Sequence, residues 1–158
     1  MGKKTGPNPT DRAKGGTKRS VLTDGRGVPV ALAVAEANRH DMKLFEPTLD
    51  NLAVACPQPM ANQAQNLCLD KGYDYSAVRD LAAAWHFIAH IKARGEEAEE
   101  IKAIPGYRAR RWVVERTHSW MNRFRRILIR WEKKAENYAA FLHFACALVA
   151  FRAAGLFG

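Results

Sequence analysis

The stretch RARRWVVERTHSWMNRFRRILIRW, residues Arg108–Trp131, combines a helical repeat of apolar residues with a dense run of cations. On a helix, at about 100° per residue, the apolar residues fall on one side and predict an amphipathic helix packed on a core. The core-facing positions are Val113, Val114, Thr117, Trp120, Met121, Phe124, Ile127, Leu128 and Trp131. The opposite side carries Arg108, Arg111, Glu115, His118, Asn122 and Arg126.

Glu115 is the only carboxylate between Lys102 and Ile129, and it stands in the middle of the cationic side. Two interpretations remain open at this point. An ion pair with Arg111, four residues earlier, would balance charge and stabilise the helix by only about 0.2–0.5 kcal/mol. Alternatively, Glu115 binds a divalent cation while the arginines around it hold phosphates.

The net charge of +9 is concentrated in residues 102–134. That segment holds eleven Lys and Arg against two acids, and the remainder of the chain is neutral. Eight of the eleven are arginines, whose planar guanidinium groups suit bidentate phosphate contacts. A polyanion is therefore the expected partner. The alternatives are a solvated basic helix or one lying on anionic lipid, but the apolar side is needed for the protein's own core.

Length and composition limit the class of protein. A chain of 158 residues with 47% hydrophobic residues can build one domain with a core. Its three cysteines lack paired C-x-x-C spacing, so neither a disulfide framework nor a zinc site is indicated. The first residues lack the apolar core of a signal peptide. These features predict a cytoplasmic protein, and no membrane partner is expected.

The first third of the chain predicts a hairpin. Residues 1–16 form a basic segment rich in glycine and proline, which predicts a loop. The β-rich runs Thr17–Thr23 and Val28–Ala35 flank the turn Asp24–Gly27. The second run is apolar on both faces, with Pro29 tolerated near its start, so helices should cover both faces of this sheet.

Two helices are predicted on either side of the central part of the chain. Asp41 is a candidate N-cap for a helix over Met42–Leu52. Asn137 is a candidate cap for a second helix over Tyr138–Phe151, which is apolar nearly all round. A membrane span needs about 20 residues, so this helix is expected to be buried or covered by a partner.

A β-α-β unit is predicted between these helices. Asn66–Leu69 reads as a strand, followed at once by Asp70, a helix over Tyr75–Trp85 with Asp74 as its candidate N-cap, and a buried strand over Phe87–Ile91. Functional side chains collect just past the carboxyl ends of strands in α/β sheets. Asp70 is therefore either a functional carboxylate or an Asx-type turn residue. The acidic linker at residues 92–107 is predicted to be solvated and mobile.

Three motifs of this chain resemble those of bacterial DDE-type insertion-sequence transposases, in the insertion-sequence four/five superfamily. They are NRHD at 38–41, LDKGY at 69–73, and RWVVERTHSW at 111–120 with RFRR at 123–126. The resemblance implies an α/β, RNase H-like fold, a mixed sheet with flanking helices over residues 17–158. It also implies two Asp and one Glu that bind Mg²⁺, with Asp70 as the second Asp and Glu115 as the Glu.

The resemblance further implies that the catalytic domain is partial. The family's first Asp lies on a central strand upstream of the hairpin, so an N-terminally truncated domain without that strand is expected. The isolated chain should then be catalytically incomplete. Where the family has a Tyr three residues before the Arg and a Lys seven after the Glu, this chain has Arg108 and Asn122. The candidate DNA contacts are Arg108, Arg111, His118, Asn122, Arg123 and Arg126.

Three functions compete at this stage. The first is Mg²⁺-dependent phosphodiester hydrolysis and strand transfer in DNA transposition, by a protein associated with the nucleoid when bound to DNA. The second is a catalytically inactive fragment that binds DNA, forms homo-oligomers or associates with full-length transposase and regulates it. The third, a basic RNA-binding domain, would need stacking aromatics on the cationic face, whereas the helical pattern places Trp120, Phe124 and Trp131 on the apolar face.

Overall fold

The computed structural model describes residues 4–12, 14–56, 58–60, 64–91, 99, 102–103 and 112–156. The chain divides into two compact units, one made of Met1–Val54 and Val113–Gly158 and the other of Ala55–Trp112. Each unit combines strands with helices, so the mixed α/β class is confirmed. The described strands form two separate sheets, one of three strands in the first unit and one of two in the second.

The first unit is built on the predicted hairpin. Strands β2 (Gly15–Thr23) and β3 (Pro29–Glu36) pair antiparallel, with Arg19 opposite Val34, and the register shifts between Leu22 and Thr23. A two-residue strand, β1 (Gly6–Pro7), pairs with the start of β2 inside the segment predicted as a loop. Arg130 holds the segment before β1 against β2, because its Nη1 donates to Lys4 O and to the Thr5 and Thr17 hydroxyls at 2.9–3.2 Å.

Strand β3 is buried on both faces, as its apolar sequence predicted. Residues Ala31–Ala35 are all buried, and Pro29 stands at the strand's first position. Helix α1 (Met42–Asp50) covers one face, where Leu44 packs against Ala33 and Ala35. Asp41 stands at the predicted N-cap position, but its side chain makes no capping hydrogen bond, because its backbone is already helical and its carboxylate accepts from Lys18 Nζ at 3.0 Å.

The helix predicted over the basic stretch is interrupted. Helix α3 (Trp112–Asn122) ends before Phe124, whose extended backbone separates it from the short helix α4 (Arg125–Leu128). In a straight helix Met121 and Ile127 would point about 120° apart, since each residue advances about 100°. The break lets both enter one core and turns Leu128 outward. The predictions that Leu128 and Trp131 face the core are therefore wrong.

Helix α5 (Ala135–Ala153) covers the other face of the hairpin. Its Tyr138, Leu142 and Ala145 join a core cluster with Leu32, Val34, Met121 and Ile127. The helix begins two residues before Asn137, so the predicted capping role of that residue is wrong. Across the part of the chain that the structure describes, no helix is long and apolar enough to cross a membrane.

The second unit contains the predicted β-α-β motif. Strands β4 (Gln65–Leu69) and β5 (Phe87–Ile91) pair in parallel, and helix α2 (Ser76–Ala84) connects and packs on them. Strand β5 is not buried as predicted, since alternate residues along it are exposed. Asp74 does not cap α2 and forms an ion pair with Arg79 at 2.8 Å. Most of the acidic linker lies outside the described residues.

The hairpin turn holds helix α3 in register. Thr117 is fully buried, and its hydroxyl donates to Gly27 O at 2.6 Å, while Arg116 Nη2 donates to Arg26 O. Gly27 has a φ of +84°, and a Cβ added there would lie 3.1 Å from both Arg116 Nη2 and Thr117 Oγ1. Gly25, in the same turn, has no heavy atom within 4 Å of such a Cβ.

We therefore predict that Gly27→Ala destabilises the protein by about 1–2 kcal/mol or more, because a left-handed backbone strains an L residue and the new methyl group crowds α3. Gly25→Ala is the matched control and should change the free energy of unfolding by less than about 0.5 kcal/mol. Urea unfolding of the two variants measures the difference. Equal midpoints for both would show that the turn does not constrain α3.

Candidate DNA- and metal-binding site

Asp70 follows directly after β4, at the carboxyl end of that strand. Its side chain is exposed, and Oδ1 accepts from the backbone N–H of Gly72 at 2.5 Å, which starts a 3₁₀ turn over Lys71–Tyr73. The Asx-turn interpretation is thus confirmed. It does not exclude a functional one, because such a turn engages one carboxylate oxygen and fixes the direction of the other.

Glu115 stands in the first turn of α3, and its side chain is exposed. Thr117 and Arg116, both tied to the hairpin turn, fix the rotation of the helix around it. A carboxylate near a helix N-terminus is favoured by the helix dipole. Arg111, the expected partner in a helical ion pair, lies outside the described residues, as does the candidate DNA contact Arg108.

Arg19 of β2 reaches the row of α3 that also carries Glu115, His118 and Asn122. Its Nη2 donates to Asn122 Oδ1 at 2.9 Å, whereas Nη1 is buried without a hydrogen-bond partner among the described residues. Sequence analysis missed this residue, which is more than a hundred positions from Asn122. Side chains alternate between the two faces of a strand, so Arg19 lies on the same face of β2 as Val21. This alternation was the one signal in the sequence that Arg19 faces the packed side of the hairpin.

His118 is half-buried, and two effects lower its pKa. Burial is the larger cause, because it disfavours the charged imidazolium, and the Arg19 cation adds repulsion in the same direction. His118 is therefore mainly neutral near pH 7. As a neutral imidazole it can accept a hydrogen bond as well as donate one.

The cations after Asn122 fall into two groups. Arg123 and Arg125 are exposed, as are Lys133 and Lys134. Others make contacts within the protein: Arg126 forms an ion pair with the buried Glu132 at 2.9 Å, and Arg130 donates to Lys4 O and to the Thr5 and Thr17 hydroxyls. Arg126 is still largely exposed and remains a candidate DNA contact, but its charge is already partly balanced.

Comparison with known proteins assigns the family. A family model described as "Transposase DDE domain" matches residues 2–150. The chain is also 37% identical over 156 residues to a Burkholderia cepacia protein named as a candidate transposase for insertion sequence element IS402. That match covers 92% of this chain and 68% of the relative. The chain belongs to the DDE transposase family. No solved structure matches it.

The acidic residues of this DDE transposase domain suit a hard divalent cation. Exposed carboxylate oxygens are the ligands that Mg²⁺ prefers, and Asp70 and Glu115 both provide them. Asp24 is less suited, because it is only half-exposed and both its oxygens are engaged: Oδ1 accepts from the backbone N–H groups of Arg26 and Val28, and Oδ2 lies 3.7 Å from Arg26 Nε. Among the residues that the structure describes, no group of three or more His, Cys, Asp or Glu could hold a metal ion.

The lowered pKa of His118 predicts a pH dependence of stability. The unfolded state, with a pKa near 6.5, binds a proton that the folded state resists, so stability should fall as pH drops below about 6.5 toward the folded pKa. Arg19→Gln should raise the pKa of His118, because it removes the neighbouring cation. Arg152→Gln, at the exposed end of α5, is the matched control.

Proton NMR titration of the His118 ring measures this pKa directly, and a His118→Asn variant assigns the signal. An unchanged His118 pKa in Arg19→Gln would contradict the assigned electrostatic contact, whatever the effect of the substitution on stability.

Proposed function

We propose that this chain is the catalytic part of an insertion-sequence transposase, which hydrolyses phosphodiester bonds and transfers DNA strands with Mg²⁺. The observation that supports it best is the placement of two exposed carboxylates, Asp70 just past β4 and Glu115 on α3, in a chain of the DDE family. Its substrate would be the DNA of the element's ends and of a target, within the cytoplasm and in association with the nucleoid.

In this proposal Asp70 and Glu115 are metal ligands. Mg²⁺ held by them would supply the charge that activates a water or 3′-hydroxyl and stabilises the leaving oxygen of an in-line displacement at phosphorus. The Asx turn orients the Asp70 carboxylate before metal binding, and the contact of Thr117 with Gly27 does the same for the helix that carries Glu115. Such preorganisation lowers the cost of assembling a charged site.

We place the third acidic ligand outside the described residues. Strand β2 pairs with β3 along one edge, while on its other edge the pairing among the described residues is that of β1 with Gly15 and Gly16. Unpaired backbone groups along such an edge accept a further strand. A strand there that carries the third acid would extend the antiparallel sheet toward the mixed sheet of an RNase H-like fold. Asp70 and Glu115 by themselves are expected to hold Mg²⁺ without completing a two-metal site.

The exposed cations would hold the DNA backbone beside these acids. Arg123 and Arg125 are exposed at the junction of α3 and α4, and Asn122 and His118 lie on the preceding turns. Guanidinium groups contact phosphates without reading sequence, so they would position the strand rather than select it. Arg108 and Arg111 stay candidate contacts from the sequence alone.

One observation favours a second function, a fragment that associates with transposase and regulates it. Helix α5 exposes Phe141, Phe144 and Phe151, with Phe144 64% exposed. Exposed apolar surface of this kind often marks a protein interface. Association with another transposase chain would cover it, and it requires no catalytic activity of this chain.

The metal-ligand proposal predicts a distinct cleavage pattern when Fe²⁺ replaces Mg²⁺. With hydrogen peroxide as oxidant and ascorbate as reductant, hydroxyl radicals formed at bound Fe²⁺ should cut the polypeptide near residue 70 and near residue 115. Asp70→Asn and Glu115→Gln should each remove both cuts, because one site needs both ligands. Asp74→Asn, which alters a nearby acid paired with Arg79, is the matched control and should leave both cuts in place. Loss of only one cut in each variant would contradict a shared site.

The same variants test catalysis. We expect no Mg²⁺-dependent nicking or joining of DNA by the 158-residue chain, and activity in a chain extended upstream by a strand that carries an Asp. Activity in the unextended chain that Glu115→Gln abolishes would show that it already holds its third ligand.

DNA binding by the basic segment predicts a steep salt dependence. The logarithm of the association constant should fall with the logarithm of salt concentration by about 0.9 per phosphate contact on duplex DNA. Changing Arg123, Arg125 and Arg126 together to Ala should flatten this slope. Lys14→Ala, which removes an exposed cation outside the segment, is the control. An unchanged slope in the triple variant would show that the DNA surface lies elsewhere.

A further inference from the structure

Trp131 is the most exposed large apolar side chain in the described chain, at 69%. It follows the end of α4, where Ile129 adopts an extended backbone and is itself 59% exposed. The interruption after α3 produces this exposure, because a continuous helix would have directed Trp131 to the core side. The exposed indole and the neighbouring Ile129 offer an apolar surface that a ligand or a partner can cover.

The exposed charges in the segment that contains Trp131, residues 123–135, are all positive, and the next exposed carboxylate along the chain is that of Glu136. Across residues 123–135 the exposed charged side chains are Arg123, Arg125, Arg126, Lys133 and Lys134. The one acid of this segment, Glu132, has a side chain only 5% exposed, and Arg126 pairs with it. The surface formed by residues 123–134, the Trp131 surface, therefore presents an aromatic ring among cations and no exposed carboxylate.

The exposed ring and the positive charge together favour a nucleic-acid strand over a second copy of this chain as the partner. A second copy of the same surface would bring like charges together and be repelled. A strand of nucleic acid supplies both complements, phosphates for the cations and flat bases for the indole. Bases of an intact duplex are already stacked on one another, so a ring can stack on them only where they are unpaired.

We propose that Trp131 is a stacking site for an unpaired base of single-stranded DNA, such as the strand at a nicked or opened element end. The inference rests on the proposed function, since it takes DNA as the substrate. Arg123, Arg125, Lys133 and Lys134 hold the phosphates of that strand. The site adds a preference for single strands that charge alone does not provide, because cations bind duplex phosphates equally well.

The test compares variants of the 158-residue chain on DNA of three kinds. Binding is measured by fluorescence anisotropy on a labelled 12-nucleotide single strand, the corresponding duplex and an RNA strand of the same sequence, each over a range of salt. Trp131→Ala should weaken single-strand binding about tenfold, with an unchanged salt slope and little change on duplex. Trp131→Phe should restore most of the affinity, because a phenyl ring still stacks.

Phe144→Ala is the matched control, since it removes a similarly exposed aromatic ring from α5, outside residues 123–134. It should leave single-strand affinity unchanged. Tryptophan fluorescence provides a second measurement: single-stranded DNA should quench it in the unmodified chain and quench it less in Trp131→Phe. Matching urea midpoints for all variants show that folding is retained, as expected for exposed positions.

Three results would overturn the proposal. They are an unchanged single-strand affinity in Trp131→Ala, an equal loss on single strand and duplex, and a loss confined to RNA. If the unmodified chain binds DNA with a steep salt slope but Trp131→Ala has no effect, only the stacking site fails. If the unmodified chain binds no DNA at any salt concentration, the proposed function fails with it.

Discussion

Burial of β3 on both faces is the constraint on which the first unit depends. A strand with alternating polar residues could leave one face in water, but Ala31–Ala35 cannot, so helices must close both sides. Small alanines admit α1 closely on one face, while Leu32 and Val34 form the cluster with α3, α4 and α5 on the other. The helix that carries Glu115 is thus required by the strand's apolar composition. Its register is then set by one buried hydroxyl, Thr117, on the hairpin turn.

The same core explains why the basic stretch breaks. Phe124 leaves the helix so that Met121 and Ile127, six residues apart, both enter the cluster. Arg130 then anchors the segment after α4 to Lys4, Thr5 and Thr17, and Glu132 becomes buried beside Arg126. The side chains after Phe124 therefore make contacts that they could not make in one continuous helix. Packing therefore determines which arginines remain on the surface and which hold the chain together.

Sequence patterns predicted the elements whose signals are local. Apolar runs around a glycine turn identified the hairpin, and strand, acid, glycine turn and helix in succession identified the β-α-β unit with Asp70 at its strand end. The errors arose where another side chain or the core packing competed with the local signal. Asp41 and Asp74 have the side chains of helix caps, but Lys18 and Arg79 bind them instead. Helical periodicity assigned Leu128 to the core, because Leu128 and Met121 share a face of a continuous helix. The break exposes Leu128 and leaves Ile127 buried. Arg19 carried no local signal that it would meet Asn122.

The net charge of the basic segment overstates the number of its cations that are available to contact DNA phosphates. Of its cations, Arg126 faces a carboxylate, Arg116 lies over the ring of Trp120 with its Nη2 on a carbonyl, and Arg130 is held by five protein acceptors. A guanidinium with such partners must break them, or share them, to bind a phosphate, so its contribution to affinity is reduced. Arg123, Arg125, Lys133 and Lys134 are exposed and carry no such contact to a described residue in the positions that flank Trp131. The exposed cations without such contacts therefore lie within residues 123–134, the segment that also contains Trp131, the most exposed large apolar side chain among the described residues.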